Sequence, residues 1–109
     1  MEYTPMELEA LGRMVSTIMR VDDQASDAER EALAALKERV GSAIQYWIDE
    51  AGKLPATREE FVRAAQSVRR KEAQQAIYEA LYDLSAADLI AKQEWDLLKV
   101  LVDTWDIDE

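Results

Sequence analysis

Carboxylates are the side chains that this sequence groups at a spacing suited to chemistry. A first acidic stretch carries Asp22, Asp23 and Glu29, and a second carries Asp88 and Glu94. Two neighbouring carboxylates can divide the roles of general acid and general base when their environments separate their pKa values. Each glutamate also stands where an acidic side chain stabilises the amino end of a helix. Nothing in the spacing favours catalysis over helix capping.

The residue types that are missing exclude several other kinds of chemistry. The chain of 109 residues contains no histidine and no cysteine. Histidine is the usual general base near neutral pH and the commonest transition-metal ligand, and cysteine supplies thiolate nucleophiles, zinc ligands and disulfides. The sequence also contains no Gly-x-Ser-x-Gly motif, no Gly-rich phosphate loop and no EF-hand loop. We therefore expect a protein that is not an enzyme.

Composition and charge indicate one acidic, folded domain. The sequence has 23 acidic and 13 basic residues, a net charge of −10 and 49% hydrophobic residues. That apolar content argues against disorder, and the length fits a single domain over residues 1–109. The negative charge disfavours direct nucleic-acid binding, because phosphate is repelled. No apolar run approaches the roughly 20 residues that cross a bilayer, and no basic signal-peptide head precedes Thr4. We expect a soluble, cytoplasmic protein with no membrane insertion.

Apolar residues recur at helical spacing along the whole chain, which predicts an all-α fold of about five helices. The first helix is expected to begin at a capping box formed by Thr4 and Glu7 and to end near Val21. The second is expected to begin at another capping box, formed by Ser26 and Glu29, and to continue to residue 51. Its apolar phase persists through Gly41, which is therefore interpreted as an interior residue or a kink.

The second half of the chain predicts three more helical segments. A capping box at residues 57–60 begins a short third helix whose apolar face holds Phe61, Val62, Ala65 and Val68. A fourth helix either continues the third or follows a slight break, and it is expected to end near Ala87. The last helix is expected to cover residues 92–105. No stretch alternates with period two over more than a few residues, so strands are not expected.

The sequence repeats itself weakly at a distance of 65 residues. A shift of 65 residues aligns two segments that each consist of a helix, a short acidic turn and a second helix. The matched pairs are Met19 and Leu84, Asp23 and Asp88, Ala25 and Ile90, Glu29 and Glu94, Leu33 and Leu98, and Leu36 and Leu101.

With these two acidic turns, the sequence resembles the TerB-like family, a small helical domain associated with bacterial tellurite resistance and related stress systems. The turns of that family read approximately Asp-Gly, five residues and then Glu. The first turn here keeps Asp22 and Glu29 and has Asp23 at the glycine position. The second turn keeps only the glutamate, Glu94, and has Asp88 at the glycine position. The loss of one aspartate and both glycines is a departure from the family pattern.

The resemblance implies a fold, a cation site and a type of function. The fold is a bundle of two pseudo-symmetric repeats, and the cation is calcium or magnesium, which oxygen ligands suit. The function is that of a non-enzymatic accessory or interaction domain that works through protein partners, such as a membrane-associated stress complex. The expected ligands are Asp22, Asp23, Glu29, Asp88 and Glu94. In the alternative interpretation, these carboxylates only solvate a loop and cap helices.

The uneven charge along the chain supports a second functional hypothesis. Residues 1–52 and 72–109 carry net charges of −6 and −8, whereas residues 53–71 carry +4. An acidic inhibitor or adaptor could imitate nucleic-acid phosphates with its two negative flanks. The basic segment either meets an acidic partner or offsets the neighbouring acidic helices. Its candidate contact residues are Arg58, Arg63, Arg69, Arg70 and Lys71.

The three tryptophans, Trp47, Trp95 and Trp105, lie in phase with other apolar residues, so we expect each of them to pack in the core. In an alternative interpretation, Trp105 and Ile107 form part of a partner surface near the acidic tail. The residues expected to be buried in the last helix are Leu98, Leu101, Trp105 and either Trp95 or Leu97.

Overall fold

The computed structural model of the chain describes residues 2–20, 27–87 and 92–107. Within these ranges 81% of the residues are helical and none is in a strand, which confirms the all-α prediction. The helices of the described ranges are α1 (Pro5–Arg20), α2 (Asp27–Val40), α3 (Ala43–Ala51), α4 (Arg58–Gln66), α5 (Lys71–Ala86) and α6 (Lys92–Trp105).

Helix α1 lies at the centre of the bundle. It packs against α3, α4 and α5, while α5 also contacts α2 and α6, and α4 contacts α6. The side chains of Leu11, Met14 and Val15 are fully buried, and Ile18 is almost so. Their spacing places them on one broad helical face, and the burial of this face against three helices organises the core.

Side-chain caps begin two of the helices where the sequence predicts them. Before α1, the backbone N–H of Glu7 donates to Thr4 Oγ1 at 3.2 Å, and the N–H of Thr4 donates to Glu7 Oε1 at 2.8 Å. Before α4, the N–H of Glu60 donates to Thr57 Oγ1 at 3.2 Å. These bonds satisfy amide groups that have no partner within the helix. Both of these predicted helix starts are therefore confirmed, whereas Ser26 of the remaining predicted capping box lies outside the described residues.

The predicted continuous second helix is wrong, because the chain forms two helices there. Gly41 has a φ of +109°, a conformation that breaks the helical hydrogen-bond pattern between Val40 and Ala43. A residue with a Cβ rarely adopts such an angle, whereas glycine does so at little cost. Gly41 is therefore a helix terminator and neither an interior residue nor a mild kink.

A second break separates α4 from α5. The helix ends at Gln66, and Val68, which the sequence places on its apolar face, lies in the connection instead. Val68 is nevertheless buried, and its carbonyl oxygen accepts a bond of 2.9 Å from Gln74 Nε2. The connection is thus part of the core, and α5 begins as a separate helix at Lys71.

The helix bounds follow the 65-residue repeat. A shift of 65 residues moves the bounds of α2 onto 92–105, the bounds of α6, and moves the bounds of α1 to within one residue of those of α5. Leu36 and its counterpart Leu101 are both buried, and Leu98 is buried where Leu33 is half-buried. The two halves therefore share their spacing and part of their core pattern.

The packing of α1 against α3 depends on a glycine. A Cβ added to Gly12 would lie 2.5 Å from Trp47 Cβ and 3.0 Å from the Trp47 carbonyl carbon. Both contacts involve atoms close to or within the backbone, so a small rotation of a side chain does not relieve them. The absence of a side chain at Gly12 therefore sets the distance between the two helices.

We expect Gly41→Ala to lower the free energy of unfolding by about 1 to 2 kcal/mol, because an L-residue is strained at positive φ. Urea titration followed by circular dichroism measures this change. The control is Ser42→Ala, at a neighbouring exposed residue with a φ of −66° and no side-chain cap bond. Equal stability of the two variants would contradict the proposed strain.

We expect Gly12→Ala to lower the free energy of unfolding by about 1 to 3 kcal/mol, because the added methyl group overpacks the contact between α1 and α3. The shift in melting temperature measures the loss. A variant as stable as the wild type would show that the two helices separate freely at this point.

Candidate functional site

The two glutamates of the acidic turns occupy equivalent places in the structure. Glu29 lies in the first turn of α2 and Glu94 in the first turn of α6. Both are buried, with relative exposures of 4% and 0%. The other three predicted ligands, Asp22, Asp23 and Asp88, lie outside the described residues. The proposed ligand set therefore stays a prediction.

Burial distinguishes these two glutamates from most acidic residues of the chain. Among the described acidic residues, only Glu7, Glu29 and Glu94 are buried. A carboxylate rarely leaves water unless hydrogen bonds, an ion pair or a metal compensates for the loss of hydration. No group of three or more potential metal-ligating side chains occurs within the described ranges. A cation site would therefore need the aspartates of the turns.

Glu7 is held by an ion pair that joins the start of α1 to the start of α5. Arg70 Nε donates to Glu7 Oε2 at 2.7 Å, and Arg70 Nη2 donates to Glu7 Oε1 at 2.6 Å and to the Glu2 carbonyl oxygen at 3.0 Å. The hydrogen bonds from Arg70 lower the pKa of Glu7 from 4.5 to about 2, although burial opposes this change. The pair has a structural role, since it links two helices and completes a helix cap.

The basic segment is partly engaged within the chain. Arg70 binds Glu7, and Arg63 Nη1 lies 3.3 Å from Glu60 Oε1. The side chains of Arg58, Arg69 and Lys71 are exposed. For Arg63 and Arg70, the structure supports the interpretation that the basic residues offset acidic neighbours.

The tryptophans have three different environments. Trp105 is buried, and its indole N–H donates to the Ala65 carbonyl oxygen at 2.8 Å, as expected of a core residue. Ile107 packs against the same core, so a partner surface formed by Trp105 and Ile107 is not supported. Trp47 is half-buried. Trp95 is 38% exposed, so the prediction that it packs in the core is wrong, and Leu97 is buried instead.

Trp95 belongs to a surface that we call the aromatic groove, which lies between α5 and α6. The ring centroids of Tyr82 and Trp95 are 6.0 Å apart in an edge-to-face arrangement, and those of Tyr78 and Tyr82 are 6.3 Å apart. The groove encloses about 650 Å³ and is lined by Gln75, Tyr78, Glu79, Tyr82, Asp83, Trp95 and Lys99. It is an open surface with aromatic walls and charged edges.

The sequence contains a signal for this groove that apolar periodicity does not capture. Tyr78 and Tyr82 each follow a buried residue of α5, and Trp95 follows the buried Glu94 of α6. One residue along a helix is a rotation of about 100°, so these rings lie at the edge of the buried face, where Tyr78 is half-buried and Tyr82 and Trp95 are exposed. The spacing of four residues between the tyrosines places them side by side on α5.

Comparison with protein-family models, curated proteins and solved structures found no match to this chain. None of the helices in the described ranges is long and apolar enough to cross a membrane.

We expect Glu7→Gln to lower the free energy of unfolding at pH 7 by about 1 to 2 kcal/mol, because it removes a charged hydrogen-bond acceptor from a partly exposed pair. A carboxylate whose pKa is lowered by folding stabilises the fold at pH values above its ordinary pKa, which for glutamate is 4.5. This contribution is lost as the pH falls from there towards the pKa of about 2 in the folded protein. The difference between wild type and variant should therefore shrink over that pH range.

Urea titrations at several pH values measure this difference. Glu72→Gln is the matched control, because Glu72 is the repeat counterpart of Glu7 and is exposed. A difference between wild type and Glu7→Gln that stays constant with pH would exclude the ion pair as its source.

Proposed function

We propose that this chain is a non-enzymatic, TerB-like accessory domain of a bacterial stress-response system of the tellurite-resistance type, and that it acts in the cytoplasm through protein partners. We further propose that its two acidic turns bind calcium or magnesium. The observation that carries the proposal is the burial of Glu29 and Glu94 at equivalent positions of the two repeats.

The repeat supports the family part of the proposal. The helices that follow the two acidic turns have bounds that differ by 65 residues, and each places a buried glutamate at its third position. A glutamate that only solvates a loop has no reason to be buried, yet the glutamate is buried in both copies. We infer that both turns place the same structural requirement on this position.

The cation part of the proposal follows from the chemistry of the expected ligands. Asp22, Asp23 and Asp88, together with the two glutamates, would offer only oxygen atoms, which calcium and magnesium prefer. The competing interpretation is that Glu29 and Glu94 cap the amino ends of α2 and α6.

We expect calcium to raise the melting temperature of the wild type in a saturable way, since a ligand that binds only the folded state stabilises it. The increase should disappear in a Glu29→Gln, Glu94→Gln double variant, which keeps the shape of both side chains. Differential scanning calorimetry with calcium, and separately with magnesium, measures the effect.

The matched control is a Glu59→Gln, Glu72→Gln double variant. These two glutamates also lie in first turns, of α4 and α5, but they are exposed. It should retain the calcium response. An absence of any response in the wild type would overturn the cation site and leave helix capping as the role of the acidic turns. The accessory role would not be affected.

Capture of partners by the immobilised wild-type chain separates the accessory role from the nucleic-acid mimic. The negative charge of residues 72–109 is the observation that favours a mimic. A nucleic-acid enzyme that DNA displaces from the chain would overturn the proposed function in favour of the mimic. A captured membrane or stress-complex protein that DNA does not displace would support the accessory role.

A further inference from the structure

We propose that the aromatic groove binds a basic segment of a partner protein and places an arginine side chain of that segment against Tyr82 and Trp95. This proposal rests on the proposed function, since it identifies the surface through which the accessory domain would contact its partner. The groove does not include the acidic turns, and its shape and charge determine what it can bind.

The exposure of the rings is the first argument. Tyr82 and Trp95 are each 38% exposed, and together with Tyr78 they form a continuous row across α5 and α6. Aromatic side chains are enriched at the centres of interfaces because they bury a large area at a low entropic cost. A guanidinium group stacks on such rings and gains a cation–π attraction within about 6 Å of a ring centroid.

The charge of the groove is the second argument, and it selects a basic occupant. Glu79 and Asp83 line the groove one helical turn apart on α5, whereas the basic side chain among the lining residues is Lys99 on α6. The lining of the groove therefore carries two carboxylates and one ammonium group. An arginine would lie between the rings and the carboxylates of α5, where both the cation–π attraction and the charge attraction favour it.

The position of Lys99 predicts whether a given substitution strengthens or weakens the binding of a basic peptide. Lys99 lies four residues after Trp95 and lines the same groove, so its ammonium group repels a bound cation. Removal of this charge should tighten the binding of a basic peptide, whereas removal of a carboxylate should weaken it. An uncharged apolar occupant would respond to neither change.

The probe is a short peptide with a single arginine, and its control contains citrulline, an uncharged isostere of arginine. Nuclear magnetic resonance follows the indole N–H signal of Trp95, which Trp95→Phe assigns. The buried indole N–H of Trp105, bonded to Ala65, serves as a reference within the same spectrum. We expect the arginine peptide to shift the Trp95 signal and to bind about threefold to tenfold more tightly than the citrulline peptide.

Four variants test the geometry and the charge. We expect Tyr82→Ala to abolish the shift of Trp95, Asp83→Asn to weaken binding and Lys99→Gln to strengthen it. Tyr46→Ala is the control, because Tyr46 is 55% exposed and does not line the groove. The spectra of the variants without peptide report whether each one is folded.

Several results would overturn the groove as the basic-peptide site. They are equal binding of the two peptides, loss of binding in Tyr46→Ala to the same extent as in Tyr82→Ala, and weaker binding after Lys99→Gln. Sedimentation of the wild type and Trp95→Ala tests whether a second copy of the chain covers the groove. If the wild type formed a dimer and Trp95→Ala stayed monomeric, the proposal would also be overturned.

Capture by the full chain separates failure of the groove from failure of the proposed function. A captured partner that the arginine peptide releases and the citrulline peptide does not would support the groove. Retention of the same partner by both Tyr82→Ala and Trp95→Ala would overturn the groove and leave the accessory role intact. A wild-type chain that captures no partner would overturn the accessory role and, with it, the biological role of the groove.

Discussion

The close approach of α1 and α3 at Gly12 is the constraint on which the rest of the bundle depends. Because no side chain separates the helices there, α1 lies near enough to α3 to bury its apolar face on that side and still contact α4 and α5. Polar contacts then fix both ends of α1. Glu7 binds Arg70 at the start of α5. Arg20 donates to the carbonyl oxygen of Ala51, the last residue of α3, at 3.2 Å and to that of Leu54, just beyond the helix, at 2.6 Å. The central helix is thus held along its length and at each end.

The placement of α5 follows from this arrangement and determines which surfaces are left for function. One face of α5 contacts α1, α2 and α6, so its buried residues, such as Ile77 and Leu81, point into the bundle. The tyrosines one position later along the helix are directed to its edge, where α6 supplies Trp95. The aromatic groove therefore forms where α5 and α6, each buried on one face, meet. Its charged edges come from residues outside the core.

Local signals in the sequence predict much of this structure, and their failures have identifiable physical causes. Capping residues such as Thr4 and Thr57 act through hydrogen bonds over three residues, so the helix starts that they predict are confirmed. Apolar spacing does not predict the break at Gly41, because the apolar residues keep their helical phase on both sides of it. The positive φ of Gly41 does not change that spacing. Apolar spacing does not predict the exposure of Trp95 either, because a tryptophan has a large apolar ring and a polar N–H and is therefore suited to both a core and a partly exposed surface. The aspartates of the acidic turns lie outside the described residues, so the candidate cation site stays a prediction from sequence.

The first turn of α6 carries one residue of each proposed site, in adjacent positions of the chain. Glu94 is buried, and the next residue, Trp95, is exposed in the groove. Adjacent residues of a helix differ by a rotation of about 100°, so a helix that turns Glu94 into the core places Trp95 at the edge of that face. The burial of α6 on one side therefore accounts for both positions, and the exposed ring follows from the helix geometry without any contribution from the acidic turns.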